Sequence, residues 1–276
     1  MRFHHFAVLI PASFVIAAAL AQNPQFERHE RQKPPDAAEL KTITERGRDL
    51  AAYDAAAWYG SDAVEAMKPA DGLVGMYVGR KMDQGWVMGF GILNTSRTKF
   101  SLAYEAIPTA DVKRPSVVTH NPAVEDTDAW LRAALAFETA KEKFGPAGRP
   151  YNLAVIPAPN DQWFVYAYPA QTDLSIFPAG GDTRYLIAAS GTTILDSHRM
   201  HASILENKWE KDKTPEMTYH TAFLDDVPED SDVANVIMMG HIPMLIVSTH
   251  FAYQISADGS INYLGTAKEF LKSAKK

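Results

Sequence analysis

The chain has 276 residues, of which 46% are hydrophobic and 22% charged, and it contains no cysteine. These proportions are typical of a folded globular protein, and the lack of cysteine excludes disulfides, thiol catalysis, thiolate zinc sites and iron–sulfur clusters. With 27 Lys and Arg against 33 Asp and Glu, the net charge is −6. This balance argues against a nucleic-acid partner, because such partners need a basic surface.

The first 21 residues have the pattern of a bacterial-type signal peptide. Arg2 makes the start basic, an apolar run extends from Phe6 to Ala19, and Ala19-Leu20-Ala21 forms an A-x-A cleavage site. The apolar run is shorter than the roughly 20 residues that a membrane span needs. We therefore expect cleavage near Ala21, export to the periplasm or the medium, and no membrane span in the mature protein.

The next segment predicts a linker and then a helix. Residues 22–35 are polar, contain several prolines and show no periodicity, which indicates a flexible linker before a globular region of residues 36–276. Asp36 is a suitable N-cap for a helix that begins at Ala37. Gly60 is expected to interrupt this helix and to separate it from a short second helix.

One face of this helical segment carries a chemical pattern. Asp54, Trp58 and Asp62 follow one another at intervals of four residues. On a continuous helix, two carboxylates beside an indole could bind a cation or a sugar. Because a break is expected at Gly60, we interpret these residues as structural.

Three strand-like runs follow, at 73–79, 86–93 and 99–107. Their short, turn-like links predict an antiparallel meander. In the second run, bulky side chains on one face alternate with Gly89 and Gly91 on the other. A bare face of this kind favours close packing of the sheet against a helix.

The remaining sequence predicts a helix over 128–144 and then mostly strands. Segment 145–150, which is rich in Gly and Pro, is the one candidate for a boundary inside the globular region. Ser190-Gly191 and Asp258-Gly259 predict hairpin turns, and a short terminal helix follows Gly265. The expected strands are 151–157, 162–168, 182–189, 193–201, 216–224, 233–239, 243–250, 252–256 and 261–264. The predicted class is therefore α+β, with a largely antiparallel sheet built from hairpins and meanders and with N-terminal, central and short C-terminal helices.

Histidines and carboxylates are concentrated between residues 198 and 250. Five of the nine histidines lie there, and the run from Asp225 to Asp232 contains five carboxylates. Imidazole and carboxylate groups are the ligands that a divalent metal would use in a protein without cysteine. The candidate ligands are His198, His201, His220, Asp230 and Asp232.

Part of this region resembles a known metal motif. His220, followed by Asp232, resembles the H-x-H…D motif of the JAMM/MPN metalloproteases, which implies a metal held by these two residues. Ala222 stands where the motif has its second histidine, and no upstream residue matches the catalytic glutamate. In the alternative interpretation, which we favour, the acidic run is a solvated loop and binds no metal.

Two functional interpretations remain open. We favour a non-catalytic exported accessory protein that binds an unidentified small molecule or protein, because the sequence contains no complete catalytic motif. The alternative is a metal-dependent hydrolase that uses the histidines and carboxylates between 198 and 250, in which the metal activates water. No cofactor other than a divalent metal is implied.

Overall fold

The computed structural model describes residues 28–208 and 215–273. The helices in these ranges are α1 (Ala37–Ala66), α2 (Ala129–Phe144), α3 (Asp230–Met238) and α4 (Ala267–Ser273). The strands are β1 (Met76–Met82), β2 (Gly85–Leu93), β3 (Phe100–Ile107), β4 (Ser116–Asp126), β5 (Tyr151–Pro157), β6 (Trp163–Pro169), β7 (Ile176–Gly180), β8 (Thr183–Ile187), β9 (Ile194–Arg199), β10 (Ile204–Lys208), β11 (Thr218–Thr221), β12 (Met244–Val247), β13 (Phe251–Ile255) and β14 (Ile261–Thr266). The predicted signal peptide lies outside the described residues.

The α+β class with mainly antiparallel sheets is confirmed. Strands β1 to β4 form an antiparallel meander, and β5, β6, β8 and β9 form a second antiparallel sheet. A third sheet has the order β11-β12-β13-β14, in which β11 and β12 run parallel, while β7 pairs with β10. The predicted hairpin turns are also confirmed, with Gly191 at φ +77° and Gly259 at φ +85°.

Helix α1 is continuous, so the break predicted at Gly60 is wrong. A Cβ atom at Gly60 would lie 3.1 Å from the Cβ of Ala106 and 3.3 Å from the ring of Phe90. This glycine therefore allows the helix to pack closely on the first sheet. The predicted cap is confirmed, because the Asp36 carboxylate accepts a hydrogen bond from the Glu39 backbone N–H at 2.8 Å.

Helices α1 and α2 cover opposite sides of the first two sheets. Tyr53 of α1 is buried with Met88 of β2, whereas Trp130 of α2 is buried with Val165 of β6. A Cβ atom at Gly89 would lie 2.7 Å from the Trp130 ring. The predicted close packing of this glycine-bearing face on a helix is therefore confirmed.

The strand predicted over 233–239 is wrong, because this segment forms most of α3. The Asp232 side chain accepts a hydrogen bond from the Glu229 backbone N–H at 2.8 Å, which caps the start of the helix. Val233 and Val236 then bury one face of α3 in a third core, together with Ile246 of β12. An apolar run of this length suits either a buried strand or a buried helix, and here the acidic cap selects the helix.

Strands β4, β7 and β10 were not expected from the sequence. Strand β4 is half polar and contains Pro122, and β7 contains Pro178, so neither shows a clear alternation. Proline within a run argues against a strand because it removes a ladder donor.

Part of the predicted linker lies within the described residues and contacts the third sheet region. The backbone N–H of His29 donates to the Leu224 carbonyl at 2.7 Å, and that of Arg31 donates to Asp226 at 2.9 Å. This segment therefore lies beside the acidic run. Within the described ranges, no helix is long and apolar enough to cross a membrane.

Candidate metal centre

The acidic run at the start of α3 is buried, so the expectation of a solvated loop is wrong. Asp226, Asp230 and Asp232 are each 2% exposed or less. Burying charges of one sign is costly unless each is paired. Each of these carboxylates accordingly has its own partners, and the partners differ in chemistry.

Asp232 lies between two histidines. Its Oδ1 atom is 2.8 Å from Nε2 of His220, on β11, and 3.1 Å from Nε2 of His201, which follows β9. One ligand atom from each of these three residues lies within 4.8 Å of the other two. Two imidazole nitrogens and one carboxylate oxygen therefore converge from three separate segments of the chain. We call this group the His–His–Asp centre.

A fourth residue, Asp182, orients His201. Its Oδ1 atom is 2.7 Å from Nδ1 of His201, which directs Nε2 of the same ring toward Asp232. A carboxylate on the far nitrogen of a ligating histidine is typical of metal sites, where it fixes the ring orientation and the tautomer. No sequence motif marked Asp182, which is buried directly before β8.

Gly180 is required for this arrangement. It has φ +79°, and a Cβ atom there would lie 2.6 Å from the Ser203 carbonyl oxygen and 3.2 Å from the Cβ of His201. A larger residue would therefore displace the His201 side chain. The glycine therefore leaves the space that His201 occupies beside Asp182.

The charges of the centre stabilise one another. Burial lowers the pKa of His201, but Asp182 and Asp232 outweigh this effect and hold it well above its ordinary value. Burial raises the pKa of Asp232, but His220 and His201 outweigh it and hold the value well below its usual range. The two carboxylates thus favour the protonated form of His201, and a metal bound at its Nε2 atom would compete with that proton.

Asp230 has a different environment, although it is two residues from Asp232. Its Oδ1 atom accepts from the Arg46 guanidinium at 2.8 and 2.9 Å, and its Oδ2 atom accepts from Arg184 and from the Tyr166 hydroxyl, the latter at 2.8 Å. Both oxygens are thus occupied by donors that include two permanent cations. The structure therefore does not bring this candidate ligand together with the histidines.

His198 belongs to a second group of candidate ligands, with Glu229 and Asp225. Its Nε2 atom is 2.7 Å from Glu229, whose hydrogen bond raises the pKa of His198. This group lines a cavity of about 250 Å³ that is also lined by Arg31, Arg46 and Arg184. Because three guanidinium groups disfavour a bound cation, we assign His198 and Glu229 as an ion pair.

The other two histidines of the region lie outside the His–His–Asp centre. Nδ1 of His250 is 2.7 Å from Asp226, and Nδ1 of the exposed His241 is 2.8 Å from the Ala257 carbonyl oxygen. Of the five predicted ligands, the centre therefore contains His201, His220 and Asp232.

No protein-family model, curated protein or solved structure gives a significant match to this chain. The resemblance of His220 and Asp232 to the JAMM/MPN motif therefore has no support beyond these residues. The candidate centre depends on its own geometry.

Proposed function

We propose that this protein binds a divalent transition-metal ion at the His–His–Asp centre and uses it in hydrolysis. The observation that carries the proposal is the convergence of His201, His220 and Asp232. Two imidazoles and one carboxylate are a donor set for zinc and for non-haem iron. The orienting carboxylate of Asp182 adds the outer-shell feature that such sites share.

The number of protein ligands favours a catalytic role over a structural one. Structural zinc sites are closed by four protein ligands, whereas catalytic sites have three and leave a position for water. His201, His220 and Asp232 would hold the metal, which would lower the pKa of a bound water to about 7 and so supply a nucleophile for an ester or amide. Three protein ligands with a free fourth position therefore favour hydrolysis as the reaction class.

Metal content is the direct test of binding. The protein is purified without a histidine tag, incubated with zinc, manganese or iron(II), dialysed and analysed for elements. We expect one metal ion per chain in the unaltered protein and less than a tenth of that in His220→Ala. The matched control is His241→Ala, because His241 is exposed and lies outside the centre. Equal metal content in the two variants, or none in the unaltered protein, would overturn the proposal.

Hydrolysis is tested separately with 4-nitrophenyl acetate and bis(4-nitrophenyl) phosphate. We expect turnover that is lost on chelation, restored by the metal found in the elemental analysis, and absent from His220→Ala. Stoichiometric metal without turnover would refute the hydrolytic role but not the metal centre.

Export through a signal peptide cleaved near Ala21, to the periplasm or the medium, remains part of the proposal. N-terminal sequencing of exported protein tests it.

A further inference from the structure

A second cavity, of about 380 Å³, lies between the middle of α1, the ends of β6 and β7, and α3. Its volume falls within the usual range for small-molecule sites, roughly 300–1,000 Å³. Because α1 is continuous, Asp54 and Trp58 lie on one face of the helix and both line this cavity. Asp62, the third residue of that sequence pattern, is exposed and does not line it.

The lining is acidic and aromatic. It contains Asp54 and the rings of Trp58, Tyr59 and Phe177, together with Asp182, whose carboxylate is already paired with His201. Among the described residues that form it, there is no lysine, arginine or histidine. An organic cation is the ligand that matches both properties, since it pairs with a carboxylate and is attracted to the faces of aromatic rings.

Asp54 differs from the carboxylates at the start of α3 in the charge of its partners. Its Oδ1 atom accepts a hydrogen bond from the Tyr168 hydroxyl at 2.6 Å, and Asn152 is its other hydrogen-bonding partner. Both partners are neutral, whereas Asp230 and Asp232 bind arginines and histidines. Burial raises the pKa of Asp54, and the two hydrogen bonds offset this only in part. A bound cation would supply the positive charge that this carboxylate lacks.

We propose that this cavity binds a small organic cation, with the ammonium group against Asp54 and the alkyl or aryl part on the ring of Trp58. A neutral sugar fits less well, because it would leave the negative charge of Asp54 without a counter-charge. The three ligands of the His–His–Asp centre do not line this cavity, but Asp182, which bonds His201, does, so the two sites are neighbours and binding is measured both with and without metal.

Calorimetric titration of the exported protein tests the proposal. The cationic probes are 2-phenylethylammonium, choline and putrescine, and the neutral probes are 2-phenylethanol and glucose. Each titration is made with chelated and with metal-loaded protein, so that failure here is separate from failure of the metal centre. We expect saturable binding of at least one cationic probe. The affinity for 2-phenylethanol should be about tenfold or more below that for 2-phenylethylammonium, because a hydrogen bond between charged groups contributes about 1.5 kcal/mol or more to binding.

Three variants localise the binding. Asp54→Asn removes the charge but keeps an oxygen that accepts from Tyr168, and we expect it to weaken binding of the cation about tenfold or more. Trp58→Leu alters a side chain that is 41% exposed, so the fold is retained, and it should weaken binding severalfold. The matched control is Asp62→Asn, which should leave affinity unchanged. The proposal would be overturned if no cationic probe bound, if the neutral probes bound equally well, or if Asp54→Asn kept full affinity. Selective binding of glucose would instead assign the cavity to a sugar.

Discussion

Asp230 and Asp232 stand two residues apart in the first turn of α3, and both are buried, yet their partners make them chemically different. Asp230 binds two arginines, Arg46 and Arg184, whereas Asp232 binds His201 and His220. Arginine remains protonated at any ordinary pH and cannot bind a metal, because its guanidinium has no acceptor. Histidine can lose its proton and become a ligand. The residue that neutralises a buried carboxylate therefore decides whether that carboxylate can bind a metal.

The largest expected effect is on the arginine side of this comparison. Asp230→Asn would leave Arg46 and Arg184 without their carboxylate, and removing one partner of a buried ion pair typically costs about 3–5 kcal/mol. Both arginine side chains are partly accessible, at 27% and 18%, so we expect about 3 kcal/mol. Urea unfolding measures this loss, which should be the same with and without chelator.

The control for this variant is Asp49→Asn, which removes an exposed ion pair with Lys81. Such pairs contribute about 1 kcal/mol or less. If the two variants lost the same stability, the structural role assigned to Asp230 would be wrong.

The histidine side is distinguished by its response to metal. A metal that binds only the folded protein should raise the free energy of unfolding by about 2.7 kcal/mol at a concentration one hundred times its dissociation constant. We expect this gain in the unaltered protein and in His241→Ala, and no gain in His220→Ala. Thermal unfolding with and without zinc measures it. A gain that survives in His220→Ala would locate the metal elsewhere.

A smaller effect is expected at the residue that orients the centre. Asp182→Asn keeps all three ligands but weakens the hold on the His201 ring, so metal affinity should fall about 10- to 100-fold. Competition with a chromophoric chelator measures this affinity. The matched control is Glu105→Gln, because Glu105 bonds His120 at 2.9 Å on the first sheet. Unchanged affinity in Asp182→Asn would show that Asp182 has no positioning role.

The smallest effect concerns Asp226, a third carboxylate of the acidic run. Burial raises its pKa, but the backbone N–H groups of Arg31 and His250 and the His250 ring lower it more, so the net shift is downward. A carboxylate with a lowered pKa stabilises the fold above its unfolded pKa, near 3.9, and loses that contribution as the pH falls through its folded value. Asp226→Asn should therefore cost about 1.5 kcal/mol at pH 7 and clearly less at about pH 2.5. Urea unfolding at the two pH values tests this, and an equal cost at both would contradict the assignment.

The same contrast explains which parts of the fold could be predicted from the sequence. The meander was predictable because β2 alternates bulky residues with Gly89 and Gly91, a local signal that directly reports the two faces of a strand. The acidic run gave no such signal. Asp230 is neutralised by Arg46, which is 184 residues away, and by Arg184, which is 46 residues away. Without those partners in view, the charges looked like a solvated loop.

The candidate centre shows the same limit. Composition singled out His201, His220 and Asp232 as candidate ligands, but also His198 and Asp230, which the structure places in ion pairs. The sequence does not say which of them meet, because the position of Asp232 beside His201 and His220 depends on contacts between segments that are distant in the chain. Asp182 could not be predicted, since a single aspartate before a strand resembles any other.

The pairing of Arg46 with Asp230 also has a consequence for the order of folding. The two residues are separated by 184 positions, and the fold closes such long separations slowly because the loop entropy is lost before the contact stabilises it. The hydrogen bonds of helix α1 are local, so we expect it to form before α3 brings Asp230 to Arg46. Refolding is therefore expected to show a fast phase, in which helix forms, and a later phase, in which α3 docks on α1. Asp230→Asn should speed unfolding of the docked state more than it slows the first formation of helix.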